Sequence, residues 1–278
     1  MLKDDVFENW KLFLVNRYPP FTSPYRWAED LYWALSEKIE WINLKFEENG
    51  WQHEHKGADF RGALRGKFNI LFRQFAFKAA KNYIENHGKN VLVHYTNQFS
   101  GTLNVKGIEV VSVQDSPYYL EELGFLGRLY VKHLYSSLKD KPYIVTNTEV
   151  LAKELKDYGF SEKIVTVHLA HSPAFYQLNE DKKNIRRKLG LPVDKILVLS
   201  VSSELPRKNL SAVRKAMELL GDEYRLVRVG SPVGNSINFT NLNDQRLNEL
   251  YNACDVLLLP PTKDLGCPWL KHLQLDSR

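Results

Sequence analysis

ILVLSVSSELPRKNLSAVRKAMELLGDEYRLVRVG, residues 196–230, decides the fold of this chain. The apolar run 196–201 has the length of a buried strand, and 225–229 is a second one. Between them Leu210, Val213, Ala216, Met217 and Leu220 share one face of a helix, with Gly221 reading as its left-handed cap. LNELYNACDVLLLPPTKDLGCP, at 247–268, repeats the pattern: Leu247, Leu250, Tyr251 and Cys254 line a helix face ahead of a strand at 256–259. Strands alternating with helices at this spacing imply a parallel sheet. Lys208 stands at the mouth of the first of these helices, a position where an α/β sheet can hold a phosphate.

Working outward, the first half of the chain follows the same rule. Runs 12–15, 39–44, 91–93, 108–113, 143–145 and 164–167 read as strands. Ser23 as N-cap and Pro24 as first helical residue precede Trp27, Ala28, Leu31, Ala34 and Leu35 at helical spacing. A helix at 150–158 closes on Gly159. The fold class is therefore α/β, with sheets covered on both faces. The polar stretch 172–190, which contains EDKKNIRRKLG, is the expected boundary between domains at 1–172 and 173–278.

Composition bounds the function. A chain of 278 residues, 44% hydrophobic and 26% charged, suits two globular domains. No apolar run approaches the roughly 20 residues that cross a bilayer. Asp4, Asp5 and Glu8 stand where a signal peptide needs an apolar core, so a cytoplasmic location is expected. Cys254 and Cys267 are too few for a disulfide framework and read as reduced core thiols.

A net charge of +5 is a mild bias, but its distribution is informative. Residues 60–84 contain no acid, while Arg61, Arg65, Lys67, Arg73, Lys78 and Lys81 interleave with phenylalanines. Leu64, Phe68, Leu71, Phe72, Phe75 and Ala79 recur at helical spacing, giving a basic amphipathic helix. Such a helix suits an anionic membrane surface at the inner face; the alternative is a core helix whose wet face is basic. A nucleic-acid surface is disfavoured because the aromatic and basic residues lie on one helix rather than on a stacking platform.

The order of these segments resembles the family 4 glycosyltransferases, retaining enzymes built of two Rossmann-like domains, the GT-B architecture. LFLVNRYPPFTSPYRWAEDLYWAL (12–35) is similar to the opening strand, loop and helix, and VVSVQDSP (110–117) to the strand that ends there in His-Asp. PYIVTNTEVLAKELKDYGFSEKIVTVHLAHSPAFY (142–176) resembles the domain crossover, and LVLSVSSELPRKNL (197–210) the phosphate loop of the second domain. The resemblance implies transfer of a hexosyl group from a nucleotide-sugar donor to a glycan or lipid-linked acceptor, without a metal. It assigns Lys208 to the donor diphosphate, with Arg207 beside it and Gly230 and Gly266 near the nucleotide, and Asp115 to the acceptor side. From the residues alone, Lys208 equally suits a solvated helix cap, Gly230 a tight turn, and Asp115 a turn cap before Pro117.

Several positions depart from the family. Gln114 stands where it has His, and Ser202 and Ser203 where it has a glycine and a donor-binding arginine, so one cation of the diphosphate site is missing. Lys263 and Lys271 replace the two glutamates of its acidic motif, leaving Asp264 as the nearest carboxylate and candidate catalytic group. After Leu270 the resemblance fades, so the second domain reads as incomplete, and self-association would cover its last strand. A degenerate, non-catalytic homologue that binds a partner or a sugar nucleotide is the competing reading. His53-Glu54-His55 lacks a third ligand at metal-binding spacing, and His168 and His171 read as strand-end and loop residues. No GxSxG, HExxH, glycine-rich Walker loop or dinucleotide GxGxxG is present.

Overall fold

A computed structural model describes residues 9–18, 22–35, 39–45, 57–61, 69–88, 90–100, 103–120, 124–139, 141–160, 163–169 and 172–260. The chain divides into two compact units, Met1–His168 and Leu169–Arg278.

The first unit holds a seven-stranded sheet made of β1 (Lys11–Asn16), β2 (Ile39–Lys45), β3 (Gly57–Arg61), β4 (Val91–Tyr95), β5 (Ile108–Val113), β6 (Tyr143–Thr146) and β7 (Ile164–Thr166). Its order is β3-β2-β1-β4-β5-β6-β7, and every pairing is parallel. The chain steps outward from β1 to β3 and then returns to the other side of β1, so the order reverses between β1 and β4. In open α/β sheets such a reversal opens a crevice at the carboxyl ends of the two strands.

Alternation along β1 divides the core. Phe13 and Val15 face a cluster that includes Ala80, Ile84, Tyr135, Leu138 and Leu155, from helices α2 (Asn69–Glu85), α4 (Gly124–Lys139) and α5 (Glu149–Asp157). Leu14 faces the opposite cluster, where Tyr25, Ala28 and Tyr32 of α1 (Ser23–Ala34) pack on Trp41. A short helix, α3 (Pro117–Leu120), follows β5.

Three local expectations change. The N-cap of α1 is Thr22, and Ser23 is already helical because Pro24 sits within the first turn. Arg61 belongs to β3 rather than to a helix, pairing in register with Lys45, and α2 begins only at Asn69. The buried face of α2 is Ala76, Ala80 and Ile84, while Phe75 is 66% exposed and Ala79 also faces out. Small alanines let the helix lie close on the sheet, which Phe75 on that face would prevent.

The second unit is built on β8 (Ile196–Val201), β9 (Tyr224–Val229), β10 (Ile237–Phe239) and β11 (Val256–Leu257), in the parallel order β10-β9-β8-β11. Leu197 and Leu199 of β8 face α6 (Lys182–Leu189) and α8 (Asp244–Ala253), whereas Val198 packs with Val213 of α7 (Leu210–Leu219). The order again reverses at the first strand, between β8 and β11.

Within the polar stretch 172–190, the EDKKNIRRKLG part folds as a helix of the second unit. Asp181 caps α6 through its side chain, Gly190 ends it in the left-handed region, and Ile185 and Leu189 enter the core. Arg186, also buried, donates to Ala253 O at 2.8 Å, Lys195 O at 3.0 Å and Asp255 Oδ2 at 2.5 Å. Gly159 has φ +94° as its capping role requires, but α7 ends on extended Leu220, and Gly221 is not left-handed. Cys254 is buried, and burial pushes its thiol up to about 12, so it is inert.

Candidate functional site

In the first unit the reversal between β1 and β4 gathers buried polar side chains. Asn16, Thr96, Asn97, Gln98 and Ser116 lie at the ends of β1, β4 and β5, all essentially inaccessible to solvent. Burial at this cost requires partners, and they are present. Asn16 donates to Tyr18 O at 2.9 Å and accepts the Tyr18 N–H at 3.2 Å. Asn97 Oδ1 accepts from the Tyr18 hydroxyl at 3.0 Å and from Phe99 N at 2.9 Å. Thr96 donates to Val15 O at 3.1 Å, tying β4 to β1. Desolvation raises the Tyr18 phenol well above its ordinary value, so it stays protonated as a donor.

Asp115 follows β5 at this end of the sheet. Its Oδ2 accepts from Gln98 Nε2 at 2.9 Å, and its carbonyl accepts from the Tyr135 hydroxyl at 2.8 Å. The turn before Pro117 is capped by Ser116, whose hydroxyl accepts Tyr118 N at 3.3 Å. Gln114 donates to Thr96 O at 3.2 Å and so holds the backbone just after β4. The sequence reading missed Asn16, Asn97 and Gln98; the polar run Thr96–Asn97–Gln98 directly after an apolar strand was their signal.

In the second unit the chain leaves β8 through Ser202 and Ser203 and makes one tight turn at Pro206–Lys208. Lys208 is half-buried, and its N–H closes the turn on Leu205 O at 2.8 Å. Asn209 is left-handed, with φ +52°, and makes no side-chain cap bond to α7. Its amide oxygen instead accepts from the Ser211 hydroxyl at 2.9 Å. The first turn of α7 thus keeps amide donors and the positive end of its dipole beside Lys208.

Gly230 ends β9 with φ +121°, and a Cβ there would sit 2.6 Å from Ser202 O. Glycine is required on both counts, by conformation and by space. It is held by Phe239 O, which accepts its N–H at 3.0 Å, and by Asn238, which donates to its carbonyl at 3.2 Å. Beneath it lies Arg228, fully buried on β9, a residue the sequence reading passed over in a strand that also carries Arg225. Its guanidinium donates to Ser200 O at 2.9 Å, to Val229 O at 2.6 Å and to both Ser202 oxygens.

Of the expected site residues, the fold thus sets Gly230 against the loop that leads through Arg207 to Lys208, and places Asp115 in the other unit. Asp264, Gly266, Lys263, Lys271, Arg65, Lys67 and the His53-Glu54-His55 group lie outside the described residues. Arg73 and Lys78 are on α2, Lys78 exposed. Among the described residues no helix is long and apolar enough to cross a membrane.

No family model matches the sequence, and no match was found among curated proteins. Solved structures share the fold. Sucrose-phosphate synthase from Thermosynechococcus elongatus superposes with TM-score 0.74 at 14% identity, over 93% of this chain and 77% of that one. HepE from Anabaena, in complex with UDP and glucose, gives 0.71 at 12% identity, over 91% and 75%. WaaG, a glycosyltransferase of lipopolysaccharide biosynthesis, gives 0.70 at 18% identity, over 91% and 75%. The likeness is one of architecture, the pair of Rossmann-like units named GT-B.

Proposed function

We propose that this chain moves a hexosyl group from a nucleotide-sugar donor to a glycan or lipid-linked acceptor, with retained anomeric configuration and no metal. The observation that carries the reading is the loop of the second unit: an obligatory Gly230 packs against its start at Ser202, and it ends at a half-buried Lys208 and an α7 terminus without a side-chain cap. A departing nucleoside diphosphate accumulates negative charge, and a lysine with helix amides stabilises it where other enzymes use a metal ion. HepE, of the same fold, has been crystallised with UDP-glucose, which supports a uridine nucleotide as the first donor to try. Retention and the acceptor class come from the sequence resemblance. Asp115, oriented by Gln98, is the proposed acceptor-side carboxylate.

The experiment is calorimetry and thermal shift of the full chain with UDP, GDP and ADP and their hexose derivatives, with and without chelator. Chelator-insensitive binding of one nucleotide, lost in Lys208→Ala, is expected; no binding by a cooperatively folded chain overturns the reading. A second reading, a non-catalytic sugar-nucleotide binder, is favoured by Lys263 and Lys271 in place of glutamates. Turnover of the bound sugar nucleotide by the purified chain excludes it. The exposed Lys78 on α2 keeps an anionic membrane surface in the proposal, tested by sedimentation with phosphatidylglycerol vesicles.

A further inference from the structure

Arg228 is a buried cation without an ion-pair contact among the described residues; the exposed Glu204 acts on it only through space. The Arg228 side chain is 0% exposed and stands opposite Ser200 in the β8–β9 register. All four of its hydrogen bonds go to neutral oxygens, Nε has no partner, and the Ser200 hydroxyl beside it is also buried without one. A desolvated guanidinium whose hydrogen bonds all go to carbonyl and hydroxyl dipoles is costly, and an exposed carboxylate on the loop screens it less well than an anion bound beside it would. The carbonyls of Ser200, Val229 and Ser202 fix it in place, and Nη2 reaches the Ser202 hydroxyl at 3.2 Å. Because that hydroxyl oxygen accepts from the cation, its own proton is left to donate outward, and Ser202 is only half-buried.

Resting on the donor-site reading above, we infer that Arg228 supplies from β9 the second positive charge of the diphosphate site, acting through the Ser202 hydroxyl. The position at which the family resemblance expects an arginine is occupied by Ser203, one residue along the loop that Arg228 grips. A guanidinium from the neighbouring strand restores the charge from below, and Gly230, whose hypothetical Cβ would meet Arg228 Nη2 at 3.2 Å, keeps space open over it. Arg228 is therefore a positioning residue: it polarises Ser202, holds the loop and adds field, while Lys208 meets the ligand directly.

The test uses the full chain, wild type and Arg228→Met, Arg228→Lys and Ser202→Ala, titrated by calorimetry with UDP and with inorganic pyrophosphate at two salt concentrations. Arg228→Met is expected to weaken both probes by on the order of tenfold to a hundredfold and to flatten the salt dependence. Arg228→Lys is expected to restore part of the affinity, and Ser202→Ala to lose on the order of tenfold for either probe. Ser202→Ala keeps the carbonyl bonds of Arg228, so it decides the matter should Arg228→Met fail to fold. Wild-type binding with folded variants that bind within about twofold of it overturns the inference alone; a wild type that binds neither probe overturns the donor-site reading with it.

Discussion

Gln98 donates its side-chain amide to Asp115 Oδ2 at 2.9 Å while its own amide oxygen accepts the Gln114 backbone N–H at 3.0 Å. One buried glutamine thus joins the end of β4 to the end of β5 and sets the direction of the only carboxylate in the buried cluster among the described residues. Asp115→Asn and Gln98→Ala should both lower glycosyl transfer, the former by about a hundredfold and the latter by about tenfold. Nucleotide affinity should stay within about twofold, since the proposed donor groups belong to the other unit. Steady-state kinetics beside calorimetry checks this; equal losses in both would remove Asp115 from the reaction.

Gly230→Ala should be costly in two ways. The residue is held at φ +121° and its new methyl would collide with Ser202 O, so stability should fall by about 1–3 kcal/mol. Relief of the clash displaces the loop, so UDP affinity should fall too. Chemical denaturation and calorimetry on one preparation read both effects, and unchanged affinity would detach Gly230 from the donor site.

His94 lies on β4 with Nε2 at 2.9 Å from the Ser112 hydroxyl and its ring edge-on to Trp27, and burial lowers its pKa from 6.5 to about 4. Between those values the unfolded chain takes up a proton that the folded chain refuses. The stability of the first unit should therefore be full above about pH 6.5 and fall as pH drops toward 4, by an amount on the order of 3 kcal/mol. Urea denaturation at pH 7, 6 and 5, compared with His94→Gln, should show the slope in the wild type and its loss in the variant.

Asp255 shares that linkage sense, since its folded-state pKa is also lowered, but here it is the charged form that the fold holds. Burial alone would raise its carboxyl, but the Leu197 N–H at 2.7 Å, Lys182 at 3.1 Å and Arg186 at 2.5 Å outweigh that and hold its pKa below the ordinary value. The stability it contributes is present above about pH 4 and lost as pH falls through the depressed folded value. Asp255→Asn should destabilise the second unit by about 2 kcal/mol at pH 7, with the difference shrinking in acid. Hydrogen exchange of β8 amides against those of β4 separates the two units.

The face of α2 is open to a direct check. Ile84→Ala should cost about 2–4 kcal/mol because Ile84 is wholly buried against the sheet, whereas Phe75→Ser should stay within about 1 kcal/mol. Equal losses would restore the face that includes Phe75.

The fold class is readable along the chain, because strand and helix periods are local properties. The run 196–201, the helix face Val213–Met217 and the strands at 108–113 and 143–145 were legible without any knowledge of what they touch. The sequence also located Lys208 and Gly230, since a strand followed by a loop and a helix places them at one end of a sheet. The remainder depends on which strands become neighbours in the folded chain. Arg228 reads like its strand neighbour Arg225 until β9 lies beside β8 and its guanidinium finds Ser202, 26 residues earlier. The buried face of α2 depended on how closely the helix lies on the sheet, and apolar spacing alone favoured Phe75 over Ala76. Periodicity is written along the chain; the partner of a buried charge is chosen across it, by packing that only the folded state possesses.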